Sequence, residues 1–283
     1  MKHKNQPYII VVGNEKGGAG KTTCSMHLIV SLLEKGYKVS SLDADCRQSS
    51  LTSYIKQRIE YNKANEDKQV LMPNHYLLES SNHDSYEQRN KEELEQFQEK
   101  LNLASADADF IVIDTPGTFS NLSSIAHSFA NTIITPINDS FVDIDVMAKI
   151  DGKTMKVIGP SIYSQMVWHQ KLQKAKRDRG SIDWVVLRNR VMSQNAQNKK
   201  NVEKVLTELA KRISFRQAKG FGERVIFREL FLQGLTLLDL KKANHNKKFS
   251  LSHVAARHEL RNFLDSLNLE KNSILSNSES VAS

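Results

Sequence analysis

The chain has 283 residues, 39% of them hydrophobic and 25% charged, with a formal net charge of +8. This is the balance of an ordinary globular protein with ample material for a core, either one large α/β domain or two small ones. Its two cysteines, Cys24 and Cys46, make neither a disulfide framework nor a metal site by spacing, and no apolar run approaches the length of a membrane span.

Residues 1–7 show no apolar signal region, so a cytoplasmic location is expected. Tyr8 to Val12 is a short apolar, β-branched run that reads as a buried strand. Gly13-Asn14-Glu15-Lys16-Gly17-Gly18-Ala19-Gly20-Lys21-Thr22-Thr23 follows, and then Cys24 to Leu33 with apolar residues at helical spacing. Strand, glycine-rich turn and helix start, in that order, form the setting of a phosphate-binding loop. The amides of Gly17, Gly18, Ala19, Gly20, Lys21, Thr22 and Thr23 and the positive helix end would surround the phosphates of a bound nucleotide, expected to be ATP. Lys21 would reach the β- and γ-phosphates, and the Thr22 hydroxyl would ligate Mg²⁺. Lys16 is unusual, because a second lysine so near Lys21 costs repulsion unless a polyanion offsets it.

Gly36 ends the first helix, and Tyr37 to Leu42 reads as a second strand ending in Asp43-Ala44-Asp45. Carboxylates at a strand's C-terminal end, near a phosphate loop, lie where open α/β sheets place ligands. Residues 56–108 are polar. Within them, Glu87 to Leu103 has the apolar spacing of an amphipathic helix through Leu94, Phe97 and Leu101. Asp109 to Gly117 is a buried parallel strand with Asp114 at its tip, a Walker B arrangement in which Asp114 binds Mg²⁺ through water. Thr115 to Gly117 would then form a γ-phosphate-sensing switch. Further strands are expected at Thr132 to Pro136, Trp184 to Leu187 and Arg224 to Phe227. Helices are expected at Ser193 to Arg212, which is basic, and at His253 to Leu267. The tail, 270–283, is polar and expected to be disordered.

The alternation of strands and helices predicts an α/β fold over residues 1–269. The expected architecture is a single doubly wound, mostly parallel sheet flanked by helices on both faces, of the P-loop NTPase type.

Charge is unevenly placed. Residues 1–169 hold 17 Lys and Arg against 21 Asp and Glu, whereas residues 170–262 hold 22 against 8. The basic second half suggests a polyanion, with DNA the first candidate; a solvated basic face is the alternative. The expected contacts are Lys199, Lys200, Lys204, Lys211, Arg212, Arg216, Lys219 and Arg224. No recognition-helix or stacking pattern is evident, so binding without sequence preference is expected.

The loop Lys16-Gly17-Gly18-Ala19-Gly20-Lys21-Thr22 resembles the deviant Walker A box of the ParA/MinD superfamily of ATPases. The resemblance implies that Lys16 reaches across a dimer interface to the partner's nucleotide, giving an ATP-dependent homodimer. It also implies that Asp45 orients the attacking water, that Asp43 holds either the Mg²⁺ hydration shell or the loop, and that Asn189 reads adenine. Gly13 to Lys16, Thr135 to Asp143, Ser161 to Trp168, Asp183 to Arg190 and Arg228 to Leu240 are similar to the MipZ family within that superfamily. This narrower resemblance implies a slow ATPase that positions the bacterial division plane by inhibiting FtsZ assembly. ParB and non-specific DNA would be its other partners, making it nucleoid-associated. A ParA-type chromosome or plasmid partitioning ATPase is the alternative. A MinD-like membrane regulator would need a basic amphipathic C-terminal helix, and residues 272–279 do not offer one. No second set of catalytic groups points to a metabolic ATP-dependent enzyme.

Overall fold

A computed structural model describes residues 6–151, 157–191, 196–243 and 251–269. Its strands are β1 (Tyr8–Val12), β2 (Val39–Asp43), β3 (Asn74–Leu77), β4 (Phe110–Asp114), β5 (Thr132–Asn138), β6 (Ala148–Ile150), β7 (Val157–Pro160), β8 (Asp183–Asn189) and β9 (Arg216–Ala218). Its α-helices are α1 (Lys21–Glu34), α2 (Ser50–Ala64), α3 (Tyr86–Ser105), α4 (Asn121–Phe129), α5 (Phe141–Ile144), α6 (Ile162–Asp178), α7 (Ala196–Ile213), α8 (Ile226–Leu232), α9 (Leu240–Ala243) and α10 (Leu251–Leu267).

Seven strands form one sheet in the order β3-β2-β4-β1-β5-β8-β9, and every neighbouring pair in it is parallel. Parallel neighbours need crossovers, which the helices supply and which cover both faces. Alternation along the strands feeds two cores. Ile10, Val12 and Val112 face α1, α2, α8 and α10 through Leu28, Leu51, Leu230 and Phe263. Val11, Ile111 and Ile113 face α3, α4, α6 and α7 through Phe97, Leu122, Val167 and Leu206. Each such side chain contributes about 1.5–3 kcal/mol on burial. The expected α/β architecture is therefore the observed one. β6 and β7 form a separate antiparallel pair.

The register positions the site. Val12 and Asp43 both pair with Asp114, so three C-terminal strand ends stop at one level. The crevice beyond such ends is where open α/β sheets bind ligands.

Two local expectations differ from the structure. Arg224 to Phe227 is not a strand: α8 begins at Ile226, because Leu230 and its helical neighbours Ile226 and Phe227 pack on the core as one face. The polar stretch 56–108 contains an edge strand, β3, in addition to the expected helix α3. The tail 270–283 lies outside the described residues.

Candidate nucleotide site

The loop between β1 and α1 has the backbone that its glycines allow. Gly18 and Gly20 adopt φ of +73° and +90°, a region open to glycine at little cost. At Gly20 a Cβ would also lie 2.1 Å from the Asn189 Nδ2, so that close approach needs glycine as well. Asn14 ties the loop to β5, donating to the Pro136 carbonyl at 2.6 Å and accepting from the Lys16 amide at 2.9 Å. Behind the loop, the buried Tyr163 hydroxyl donates to the Gly13 carbonyl at 2.8 Å.

A cavity of about 490 Å³ opens over this loop, lined among others by Gly17, Lys21, Thr22, Asp45, Gly117 and Asn189. Nothing lies within 4 Å of the positions a Cβ would take at Gly17 and Gly18, which leaves room for a polyphosphate against bare backbone. Lys21 lies at the cavity, its Nζ donating to the Lys16 carbonyl at 3.1 Å. Burial pulls its pKa below the usual lysine value, while Asp114 and Asp45 partly restore it.

Asp114 is fully enclosed and accepts from Thr22 Oγ1 at 2.7 Å and from Ser25 Oγ at 2.9 Å. Burial pushes its pKa up to about 7, opposed by the bonds from Thr22 and Ser25. A hydroxyl and a carboxylate in contact, both beside a polyphosphate cradle, are the hard oxygen donors that Mg²⁺ takes. The residues present thus fit a Mg–nucleotide.

Asp43 behaves differently. Its Oδ1 accepts from the Asp45 amide at 3.0 Å, and its Oδ2 accepts from the Thr52 amide at 2.8 Å and the Thr52 hydroxyl at 2.9 Å. One oxygen thus holds the main chain at Asp45 and the other holds the first turn of α2 at Thr52. Asp45 reaches the cavity wall, with its Oδ1 accepting from the Gln48 amide at 3.1 Å. Asn189, at the end of β8, donates to the Ala19 carbonyl at 2.8 Å and so also braces the phosphate loop.

Lys16 does not join Lys21 in the cradle: its Nζ lies 2.7 Å from Asp143 Oδ1, with a third of the side chain exposed. Asp143 was not legible as a partner, because the two residues lie far apart in the chain and only folding brings them together.

The basic residues of the second half divide. Arg216 makes a two-pronged ion pair with Asp183 and donates to the Ser266 and Leu267 carbonyls. Arg224 pairs with Glu259, at 2.5 Å. Both arginines therefore fasten α10, and their heads are engaged within the chain. Lys204 and Lys211 on α7 and Lys219 beyond β9 are exposed. Arg212 is exposed on α7 too and pairs with Glu208 one turn back. Lys199 and Lys200 lie on α7, with side chains outside the described residues.

Fold and site together define a P-loop nucleotide-binding protein with a second, deviant lysine in the loop. The chain belongs to the ATPase MipZ family, whose sequence profile matches residues 8–271. It is 34% identical over 121 residues to the septum site-determining protein MinD of Synechocystis, a match covering 38% of this chain and 44% of that protein. The chain thus matches less than half the length of that curated relative. Among solved structures it resembles an ATP complex of a Cyanothece McdA variant, with TM-score 0.58 at 18% identity, covering 90% of this chain and 97% of that one. It also resembles Pyrococcus horikoshii MinD complexed with Mg-ADP, with TM-score 0.54 at 19% identity, covering 90% and 94%. At these identities the structural likeness shows the fold. Among the described residues, no helix is long and apolar enough to cross a membrane.

Proposed function

We propose that this chain is an ATP-operated dimerisation switch that positions the division plane by restraining FtsZ assembly, with ParB and non-specific DNA as its other partners. The single observation that carries the switch is the position of Lys16. One lysine, Lys21, already serves the phosphate cradle, while Lys16 sits at its edge on Asp143. A second cation there gains most from a second polyphosphate, which a two-fold partner would bring.

Within one chain, Lys21 and the loop amides would bind and orient the phosphates, and Thr22 and Asp114 would hold Mg²⁺. When bound, Mg²⁺ offsets charge on the β- and γ-phosphate oxygens. Asp45, on its own loop at the cavity wall, orients the attacking water. Asn189 contributes to the base end of the cavity. MinD from P. horikoshii was solved with Mg-ADP and Aquifex aeolicus MinD with MinC, which supports reading a nucleotide and a protein partner here. A partitioning role in DNA segregation is the second reading, favoured by the basic second half.

The dimer is tested by light scattering of Lys16→Ala with ATP. The variant should bind ATP and remain monomeric, and a dimer of normal stability would remove the cross-subunit role. The partner is tested by pelleting purified FtsZ polymers with this protein. ATP should lower the pelleted fraction relative to ADP; equal pelleting with both nucleotides favours the partitioning reading.

A further inference from the structure

Among the polar groups that the nucleotide site leaves unused, His75 stands out. It lies on β3, the edge strand, in a stretch whose sequence shows no chemistry. Register places it beside Ser41 on β2, two residues before Asp43. Its Nδ1 lies 2.9 Å from Ser41 Oγ and its Nε2 lies 2.9 Å from Thr52 Oγ1. Thr52 in turn holds Asp43, through both its amide and its hydroxyl.

Proton counting gives this chain a direction. The Thr52 hydroxyl has one hydrogen, and the Asp43 carboxylate takes it. The contact with Thr52 therefore needs an Nε2–H donor on His75, and Nδ1 is left to accept from the Ser41 hydroxyl. Burial keeps the ring neutral at neutral pH by lowering its pKa to about 4, and the two contacts set which nitrogen carries its proton. Every link then runs one way: Ser41 to His75, His75 to Thr52, Thr52 to Asp43. Asp43's other oxygen accepts the main-chain amide of Asp45.

We propose that His75 is a positioning residue for ATP hydrolysis, holding Asp45 in place through Thr52 and Asp43. This rests on reading Asp45 as the water-orienting carboxylate. Loss of the Nε2–H leaves a Thr52 lone pair unmatched, frees its hydroxyl to turn, and loosens the Asp43 carboxylate that fixes the Asp45 amide. The phosphate cradle is built on the β1–α1 loop, a different element, and is untouched. The defect therefore falls on turnover and leaves nucleotide binding alone.

The test is steady-state ATP turnover of the full chain with Mg²⁺. Thr52→Val and His75→Phe should each lower kcat about 10-fold, as small misplacements of a reacting group do, with KM for ATP within about twofold of the parent. His75→Gln, which retains a donor near the Nε2 position, should recover most of the rate. Combining His75→Phe with Thr52→Val should cost no more than Thr52→Val alone, because both cut one chain. In an Asp45→Ala background, Thr52→Val should cause no further loss. Parental kcat in Thr52→Val, a loss shared equally by KM, or an added loss in the Asp45→Ala background each overturns the proposal. Parental kcat in a folded His75→Phe likewise overturns it, and if that variant fails to fold, His75→Leu, which also lacks the donor, takes its place with the same two outcomes. Parental turnover in Asp45→Ala itself would instead overturn the reading of Asp45, and is scored separately.

Discussion

On one side of β1 lie β4 and β2, and on the other lie β5, β8 and β9, and the carboxylates that end β4 and β2 are bonded differently from those beside β5 and β8. Asp114 and Asp43 accept only from hydroxyls and amides, namely Thr22, Ser25, Thr52 and the Asp45 backbone. Asp139, Asp183 and the nearby Glu259 are each met by an arginine, Arg188, Arg216 and Arg224. A carboxylate bonded to neutral donors keeps its charge available for a cation or for placing a catalytic loop. One clamped by a guanidinium is neutralised and becomes a fastener. Sequence charge alone does not distinguish the two kinds.

The largest expected effect separates them in rate. Asp45→Ala should lower turnover about 10²- to 10⁴-fold, the usual contribution of a group that orients or deprotonates the attacking water, while nucleotide binding and dimer formation persist. Turnover near the parental level would break the division between working and fastening carboxylates. Lys21→Ala should instead lose nucleotide affinity, by about 100-fold or more, as expected when one charge of a desolvated pair is removed; titration calorimetry with ATP reads it.

Next in size is a fastener. Arg58 is fully buried and meets Asp239 through two bonds, at 2.7 and 2.8 Å, while also donating to the Leu71 and Gly234 carbonyls. Arg58→Ala leaves Asp239 buried without its cation and should destabilise the fold by about 3–5 kcal/mol in urea denaturation. A loss below about 1 kcal/mol would show that Asp239 finds other partners.

These effects also show what the sequence could reveal. β1 and β4 were legible because short apolar runs ending in a loop glycine and in Asp114 have few other readings. Ile10 and Val112 indeed lie in one core. The phosphate loop was legible because glycine spacing and Lys21 act locally. β3 was not, since Asn74-His75-Tyr76-Leu77 lies at a sheet edge and shows neither a continuous apolar run nor alternation. Nor was the role of Arg216 or Arg224, because Asp183 and Glu259 lie more than 30 positions away and only folding brings them together. Arg58 is a starker case: its partner is 181 residues distant.

A smaller effect concerns pH. His27 accepts the Leu237 amide on Nε2 and meets the Thr23 carbonyl with Nδ1, and His127 lies between the Ser123 carbonyl and Tyr163. Burial lowers the pKa of each from 6.5 to about 4. The unfolded chain therefore takes up protons that the folded chain refuses. Their stability contribution is complete above about pH 6.5 and is lost as pH falls toward about 4. The midpoint of thermal unfolding should drop between about pH 7 and pH 5; a constant midpoint would mean these rings titrate normally.

The smallest effect addresses the basic half directly. If Lys204 and Lys211 are DNA contacts, their exposed ammonium groups displace counterions, and each phosphate neutralised adds roughly 0.9 to the slope of log affinity against log salt. If ATP pairs two chains, each site is presented twice, so Lys204→Glu/Lys211→Glu should flatten the salt slope of the ATP-bound protein by roughly 3 to 4 and weaken two unrelated duplexes alike. Arg216 and Arg224 give the contrast. Their guanidinium groups already meet carboxylates and carbonyls within the chain. Exchanging either for Gln should lower stability by about 1 kcal/mol, as for half-exposed ion pairs, and leave the salt slope as it was. Filter binding in the Asp45→Ala background, expected to retain the ATP-bound dimer, separates the four side chains. If the arginine variants flatten the slope while the lysine variants do not, the assignment of fasteners and contacts in this half is reversed. In that outcome the Arg224–Glu259 ion pair and the Arg216 bonds to the Ser266 and Leu267 carbonyls open when DNA binds, and α10 is released with them.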